Sequence, residues 1–253
     1  MNLVRVSMVE EGIALIELNR PEKRNAVSSV MRELIVEALE GPIAEDAHVV
    51  IFRGNGTAFC AGVDLKEVGG PEDEAGVGIR TQLFTAFRNC PAIVIASVQG
   101  YALGLGSGLA MASDMVIASE DAVFGYPEIA HDLVAGMTLV GLREVVGQRK
   151  ALEFLVTGRT ISASEALELG MVTEVVPASD LEAHVLRTAR KLSAFARMPL
   201  QETKRVFYDT IEMTYEDALR EGARAVQRVR RERGPINKAA AFVNRPASGQ
   251  KGV

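Results

Sequence analysis

Two glycine-bearing segments of this chain could aim backbone N–H groups at an anion: Phe59-Cys60-Ala61-Gly62-Val63-Asp64-Leu65-Lys66-Glu67 and Gly100-Tyr101-Ala102-Leu103-Gly104-Leu105-Gly106-Ser107-Gly108. Each follows an apolar, strand-like run. The second also opens a helix, where the first N–H groups lack intrahelical acceptors and lie at the positive end of the helix dipole. Two such donors meeting at one oxygen make an oxyanion hole, in which a single donor can lower a barrier by about 2.7–4 kcal/mol. A third segment, Phe124-Gly125-Tyr126-Pro127-Glu128-Ile129, embeds a carboxylate among apolar residues. Desolvation there raises the pKa and turns an acid into a proton-transferring base. His131 and Asp132 follow closely; a neutral imidazole can accept a proton or hold a water, and a neighbouring carboxylate can set its tautomer.

Other glycine-dependent chemistries fit poorly. A dinucleotide fingerprint that starts at Gly104 needs its third glycine at position 109, which is Leu109. Ser107 is flanked by Leu105 and Leu109 where a nucleophile elbow needs glycines. Neither glycine segment ends in the Lys-Ser or Lys-Thr of a phosphate loop.

The elements that must hold these groups alternate between strand and helix. Short aliphatic runs at 4–9 and 13–18, separated by Glu10, Glu11 and Gly12, predict a hairpin. Ser28 or Ser29 can cap a helix whose Met31, Leu34, Ile35, Ala38 and Leu39 share one face. Strands are predicted at 49–52, 93–98, 115–118 and 171–176, with helices at 79–88 and 107–112. Gly69 to Gly76 reads as a surface loop placed to act as a lid. Ser162 and Glu165 form a capping box for a short helix ending at Gly170. Beyond Asp180 the pattern is helical, at 181–195, 200–211 and 215–231, with Pro199 between the first two. Such alternation predicts an α/β fold with largely parallel pairing. The domain division expected is a core at 1–195, holding the site, and a helical oligomerisation region at 196–253.

Composition narrows the class. With 48% apolar and 24% charged residues the chain is an ordinary globular protein, and a net charge of -5 disfavours nucleic acid as a partner. Two cysteines are too few for a disulfide framework or a four-thiolate metal site, so neither metal nor oxidising compartment is expected. No run approaches the roughly eighteen apolar residues of a membrane span, and the first ten residues do not read as a signal peptide. A cytoplasmic protein with no membrane partner is the expectation.

Together the motifs resemble the crotonase superfamily, the enoyl-CoA hydratase and isomerase family. The resemblance runs through Asn19-Arg20-Pro21-Glu22-Lys23-Arg24-Asn25-Ala26, the two glycine segments, the Pro127-Glu128 motif, Thr157-Gly158-Arg159 and Gly170-Met171-Val172. It implies a crotonase-like spiral of ββα units with a helical C-terminal trimerisation region, and a trimer or hexamer. It implies an oxyanion hole from the backbone N–H groups of Val63 and Leu105, with Glu128 as acid-base and no cofactor beyond the coenzyme A of the thioester substrate. Lys23, Arg24, Ala26, Ala61, Asp64 and Leu65 are implied to hold that coenzyme A, and Arg245 aligns loosely with a basic segment that can reach a neighbour's nucleotide. Tyr126 is a candidate substrate contact and His131 a candidate catalytic group.

Two positions depart from the family pattern. Leu105 stands where glycine is usual; it keeps the donor, provided that the backbone there has negative φ. Gly108 stands where hydratases carry a second glutamate. A single glutamate resembles the isomerases that move a double bond from the 3- to the 2-position of an enoyl-CoA. Hydration or C–C hydrolysis assisted by His131, and a catalytically silent thioester binder, are the alternatives.

Overall fold

The protein is described by a computed structural model over residues 2–67 and 77–233. Its strands are β1 Val4–Glu10, β2 Ile13–Leu18, β3 Val49–Gly54, β4 Ile93–Val98, β5 Tyr101–Leu103, β6 Met115–Ser119, β7 Val123–Gly125, β8 Thr160–Ser162 and β9 Glu174–Val176. Its helices are α1 Ser29–Glu40, α2 Pro42–Asp46, α3 Val77–Asn89, α4 Leu105–Ala112, α5 Thr138–Val146, α6 Gln148–Thr157, α7 Ala163–Glu168, α8 Leu181–Ser193, α9 Arg197–Asp209 and α10 Tyr215–Arg233. The proposed lid at Gly69 to Gly76, and Arg245, lie outside the described residues.

A six-stranded sheet runs in the order β1-β2-β3-β4-β6-β9. The β1–β2 hairpin is antiparallel and every other pairing in this sheet is parallel. Strand periodicity sorts its side chains onto two faces. Ile13, Val49, Ile51, Ile95 and Ile117 face one cluster with Leu181, Val185 and Ala189 of α8. Ala14, Ile16, Val50, Phe52, Val94 and Ala96 face the larger core with α1 and α3. In that core Phe52 meets Phe59 and Phe87 edge to face, with centroids 5.7 and 5.1 Å apart. Each such pair adds about 0.5–1.5 kcal/mol beyond burial.

A second sheet, β5-β7-β8, is built from three-residue strands. It is joined to the first glycine segment by a bridge between Cys60 and Ala102. This small sheet, which the sequence pattern does not reveal, brings the three chemical segments together.

The chain divides into two compact units, Met1–Gln201 and Glu202–Val253. In the second, Arg205 and Arg228 share the carboxylates of Glu202 and Glu221 at 2.8–3.1 Å. The helical C-terminal region expected from the sequence is present. Pro199 does not separate helices, because it lies in the first turn of α9, where its missing N–H has no intrahelical acceptor to lose. The strand expected at 171–176 shortens to β9, with Met171 and Val172 bonded through their N–H groups to the Ala166 carbonyl. Among the described residues no helix is long and apolar enough to cross a membrane.

Candidate functional site

The first donor is fixed by bonds to the main chain on both sides of it. Val27 N–H donates to the Gly62 carbonyl at 2.8 Å, and Asp64 N–H donates to the Val27 carbonyl at 3.0 Å. The Val63 N–H between them donates to no acceptor among the described residues. Behind this clamp stands the asparagine-rich turn. Asn25 is fully buried; its Oδ1 accepts from the Arg20 N–H, and its Nδ2 donates to the Asn55 and Ala58 carbonyls at 2.9 and 2.8 Å. Arg20 donates to Asp64 at 2.7 Å and to the Ala26 carbonyl at 3.1 Å. The Arg20 guanidinium thereby holds the Asp64 carboxyl below its usual range, with help from the Lys66 N–H. The Asn-Arg-Pro motif is thus the brace of the Val63 turn.

The second donor opens α4. Gly104 has φ 53° and ψ -117°, a conformation that side chains disfavour, and its N–H donates to the Gly125 carbonyl at 2.8 Å. Because Gly104 absorbs the positive φ, Leu105 begins the helix without strain and its N–H has no acceptor among the described residues. The two donors are close. A Cβ built on Gly62, the residue that precedes Val63, would lie 3.9 Å from the Leu105 nitrogen. Ser107 is structural: its hydroxyl donates to the Ala102 carbonyl at 2.6 Å and accepts from the Gly125 N–H at 3.2 Å.

Glu128 lies in a 3-10 turn, Pro127–His131, that follows β7. Its Oε1 would be 3.0 Å from a Cβ on Gly104, which sets the carboxylate against the start of α4. Its Oε2 is buried without a hydrogen-bond partner among the described residues. Burial pushes this carboxyl above the ordinary carboxylate range, opposed by its own N–H, the Thr138 hydroxyl and the charge of His131. Burial likewise pushes the Cys60 thiol up to about 12, which leaves it inert as a nucleophile.

These groups line one cavity of about 460 Å³. Val63, Leu105, Glu128 and His131 meet there, together with Ala26, Ala61, Asp64 and Leu65. Three other sequence candidates do not line it. Tyr126, only 1% exposed, lies in the core, where burial and the Glu128 charge push its phenol pKa up. Lys23 and Arg24 are exposed on the turn before α1, with the Arg24 guanidinium over the Tyr101 ring at 5.6 Å. The cavity also recruits residues that the motifs did not mark: Arg32 from α1, Arg80 and Phe84 from α3, and Thr138 from α5. For Arg32 a signal existed, since it falls among the apolar positions of α1. For Thr138 there was none.

The place of the absent second glutamate is closed. A Cβ on Gly108 would lie 2.6 Å from the Thr138 methyl and 3.1 Å from the Phe84 ring. Carbon contacts are optimal at about 3.5–4.0 Å, so no side chain fits there without displacement.

The profile of the Enoyl-CoA hydratase/isomerase family matches residues 8–238. A probable enoyl-CoA hydratase of Mycobacterium bovis is 35% identical over 218 residues, 84% of this chain and 82% of that protein. The crystal structure of an enoyl-CoA hydratase from Mycobacterium smegmatis superposes with a TM-score of 0.90 at 32% identity, covering 95% of this chain and 96% of its own. A candidate enoyl-CoA hydratase from Thermobifida fusca, solved in complex with CoA, gives 0.84 at 26% identity over 91% and 93% of the two chains. The fold implied by the motifs is therefore the fold of this chain.

Proposed function

The chain belongs to the enoyl-CoA hydratase/isomerase family, and from that footing we propose that it acts on an acyl-CoA thioester through an enolate, with Glu128 as its one acid-base. The N–H groups of Val63 and Leu105 hold the thioester oxygen as negative charge develops, each contributing about 2.7–4 kcal/mol. The reaction is double-bond isomerisation. The Glu128 carboxylate takes a proton from C2 of a 3-enoyl thioester, and the electrons of that C–H bond flow into the enolate. As the enolate collapses, the same carboxyl returns the proton to C4, and the double bond stands between C2 and C3. Coenzyme A enters as part of the substrate, and no separate cofactor is required. Lys23 and Arg24 supply positive charge for its phosphates.

The observation that carries this reading is the closure over Gly108. Hydration by a pair of carboxylates needs a second acid to position water, and here a threonine methyl and a phenylalanine ring fill its place. Isomerisation needs only one carboxylate, sufficiently desolvated to be basic and close to the oxyanion hole. The test is product analysis with purified wild type and Glu128→Gln on separate 2-enoyl-CoA and 3-enoyl-CoA substrates. Wild type is expected to interconvert the two enoyl isomers, and the variant to lose about 10²–10⁴-fold in rate. Equal turnover by both proteins overturns the role of Glu128. Formation of a 3-hydroxyacyl-CoA as the main product overturns isomerisation.

A second reading has one observation behind it, the position of His131 on the cavity wall with Glu128. It would place hydration or C–C hydrolysis with His131 as the second acid-base group, and His131→Ala would then abolish formation of the hydrated or cleaved product. A silent binder would bind both thioesters and turn over neither. Assembly as a trimer or hexamer is proposed on the family relationship. Phe207, Tyr215 and Leu219, exposed on the C-terminal helical region, are the apolar groups that such contacts would cover.

A further inference from the structure

Helix α1 places an arginine where its own pattern calls for a hydrocarbon. Ser28 caps the helix, and Met31, Ile35, Ala38 and Leu39 form its buried stripe. Arg32 falls in that stripe and is only 6% exposed. Its guanidinium makes no hydrogen bond or ion pair among the described residues, and it lines the cavity that holds Glu128, Val63 and Leu105.

Among the described residues no carboxylate bonds to this guanidinium. Glu67 lies within electrostatic reach, but its Oε2 already accepts the Ser29 N–H at 2.6 Å. Asp64, the other carboxylate of the wall besides Glu128, is held by Arg20 at 2.7 Å. Arg80 lines the same cavity and adds a second positive charge near the first. A buried cation with no bonded partner among the described residues is costly, and a second guanidinium on the same cavity wall raises the local positive potential. An anion delivered by the ligand removes it. The planar fork of a guanidinium suits a carboxylate, which it can bind through two parallel hydrogen bonds.

We propose that the acyl group taken by this site ends in a second carboxylate, so that the substrate is the monothioester of a dicarboxylic acid, with Arg32 as the specificity-determining contact and Arg80 adding to the field. The inference rests on the acyl-CoA reading above. A phosphate of coenzyme A offers related anion chemistry, but it is multiply charged and strongly hydrated, and Lys23 and Arg24 already provide exposed positive charge for it.

The test compares equilibrium binding by calorimetry of glutaryl-CoA and adipoyl-CoA, their neutral counterparts valeryl-CoA and hexanoyl-CoA, and free CoA. Wild type, Arg32→Met and Arg32→Lys are measured. Wild type is expected to bind one of the carboxylated thioesters at least about tenfold more tightly than its neutral counterpart. Arg32→Met should lose that preference while binding the neutral thioesters and free CoA within about twofold of wild type, which also shows that it is folded. Arg32→Lys should keep part of the preference. Binding of neutral and carboxylated thioesters alike by wild type overturns this inference and leaves the acyl-CoA reading standing. Equal loss of free CoA binding in Arg32→Met assigns the arginine to a phosphate and overturns it too. Failure of folded wild type to bind any thioester or CoA overturns the acyl-CoA reading, and this inference with it.

Discussion

The closure of the Gly108 position can be measured as a coupling energy. In Gly108→Ala the new methyl would start 2.6 Å from the Thr138 methyl, about 1 Å inside a comfortable carbon contact, and 3.1–3.2 Å from two atoms of the Phe84 ring. Overpacking of this kind costs about 1–3 kcal/mol. Gly108 is inside α4, so alanine also returns about 0.8–1.0 kcal/mol of helix propensity. The net expectation is a loss of about 0–2 kcal/mol, that is, the packing cost less the propensity gain. In Thr138→Ser the offending methyl is gone, while the half-buried Phe84 ring can yield by a few tenths of an ångström. There Gly108→Ala becomes neutral or stabilising by up to about 1 kcal/mol. Urea denaturation of wild type, both single variants and the double variant closes the cycle. The expected coupling is about 1–3 kcal/mol, the packing cost that the serine relieves, inside the range known for touching residues. Additivity within about 0.5 kcal/mol would show that Thr138 does not occupy the site, and would refute the argument against a second side chain.

Stability should respond to pH in opposite directions at the two carboxylates. Glu128 is held above its unfolded value of about 4.3, so its contribution is complete below that pH and is lost as pH rises through the folded value. Glu128→Gln should therefore melt above wild type near pH 8 and match it near pH 4, and wild-type kcat/KM should rise with pH on a limb above the ordinary carboxylate range. Asp64 is held below its unfolded value of about 3.9, so its contribution is present above that pH and is lost as pH falls through the folded value. Asp64→Asn should melt below wild type at pH 7, and the difference should vanish in melts run under strongly acidic conditions. Gly104→Ala should cost about 1–3 kcal/mol from its positive φ. Because its methyl would press on Oε1 of Glu128, kcat should also fall at temperatures where the variant is fully folded.

The sequence was most legible where one side-chain period extends over a whole element. The β1–β2 hairpin, the parallel strands and the Ser28 cap of α1 follow from alternation and capping chemistry that need no tertiary information. Strands β5, β7 and β8 were hidden because three residues hold barely one repeat of a period-two pattern. The glycine segments and Glu128 stood out openly as candidate site residues, yet their meeting depends on that hidden sheet. Tyr126 lies two residues before Glu128 in sequence, but the strand-to-turn geometry sends its ring into the core. Thr138 was beyond reach because its relation to Gly108 depends on how the segment after Glu128 folds back over α4. Arg32 was written plainly on the apolar face of a helix, as a charge in the wrong place.

Both proposed oxyanion donors belong to the main chain, and selection on side chains cannot see them directly. Any residue except proline keeps the Val63 amide, and any residue content with helical angles keeps the one at Leu105. Side chains at those two positions can change to reshape the acyl cavity while the electrostatic core of the reaction stays in place. Under the proposed mechanism, catalytic power and substrate choice are inherited separately, one through the path of the backbone and the other through the residues hung on it.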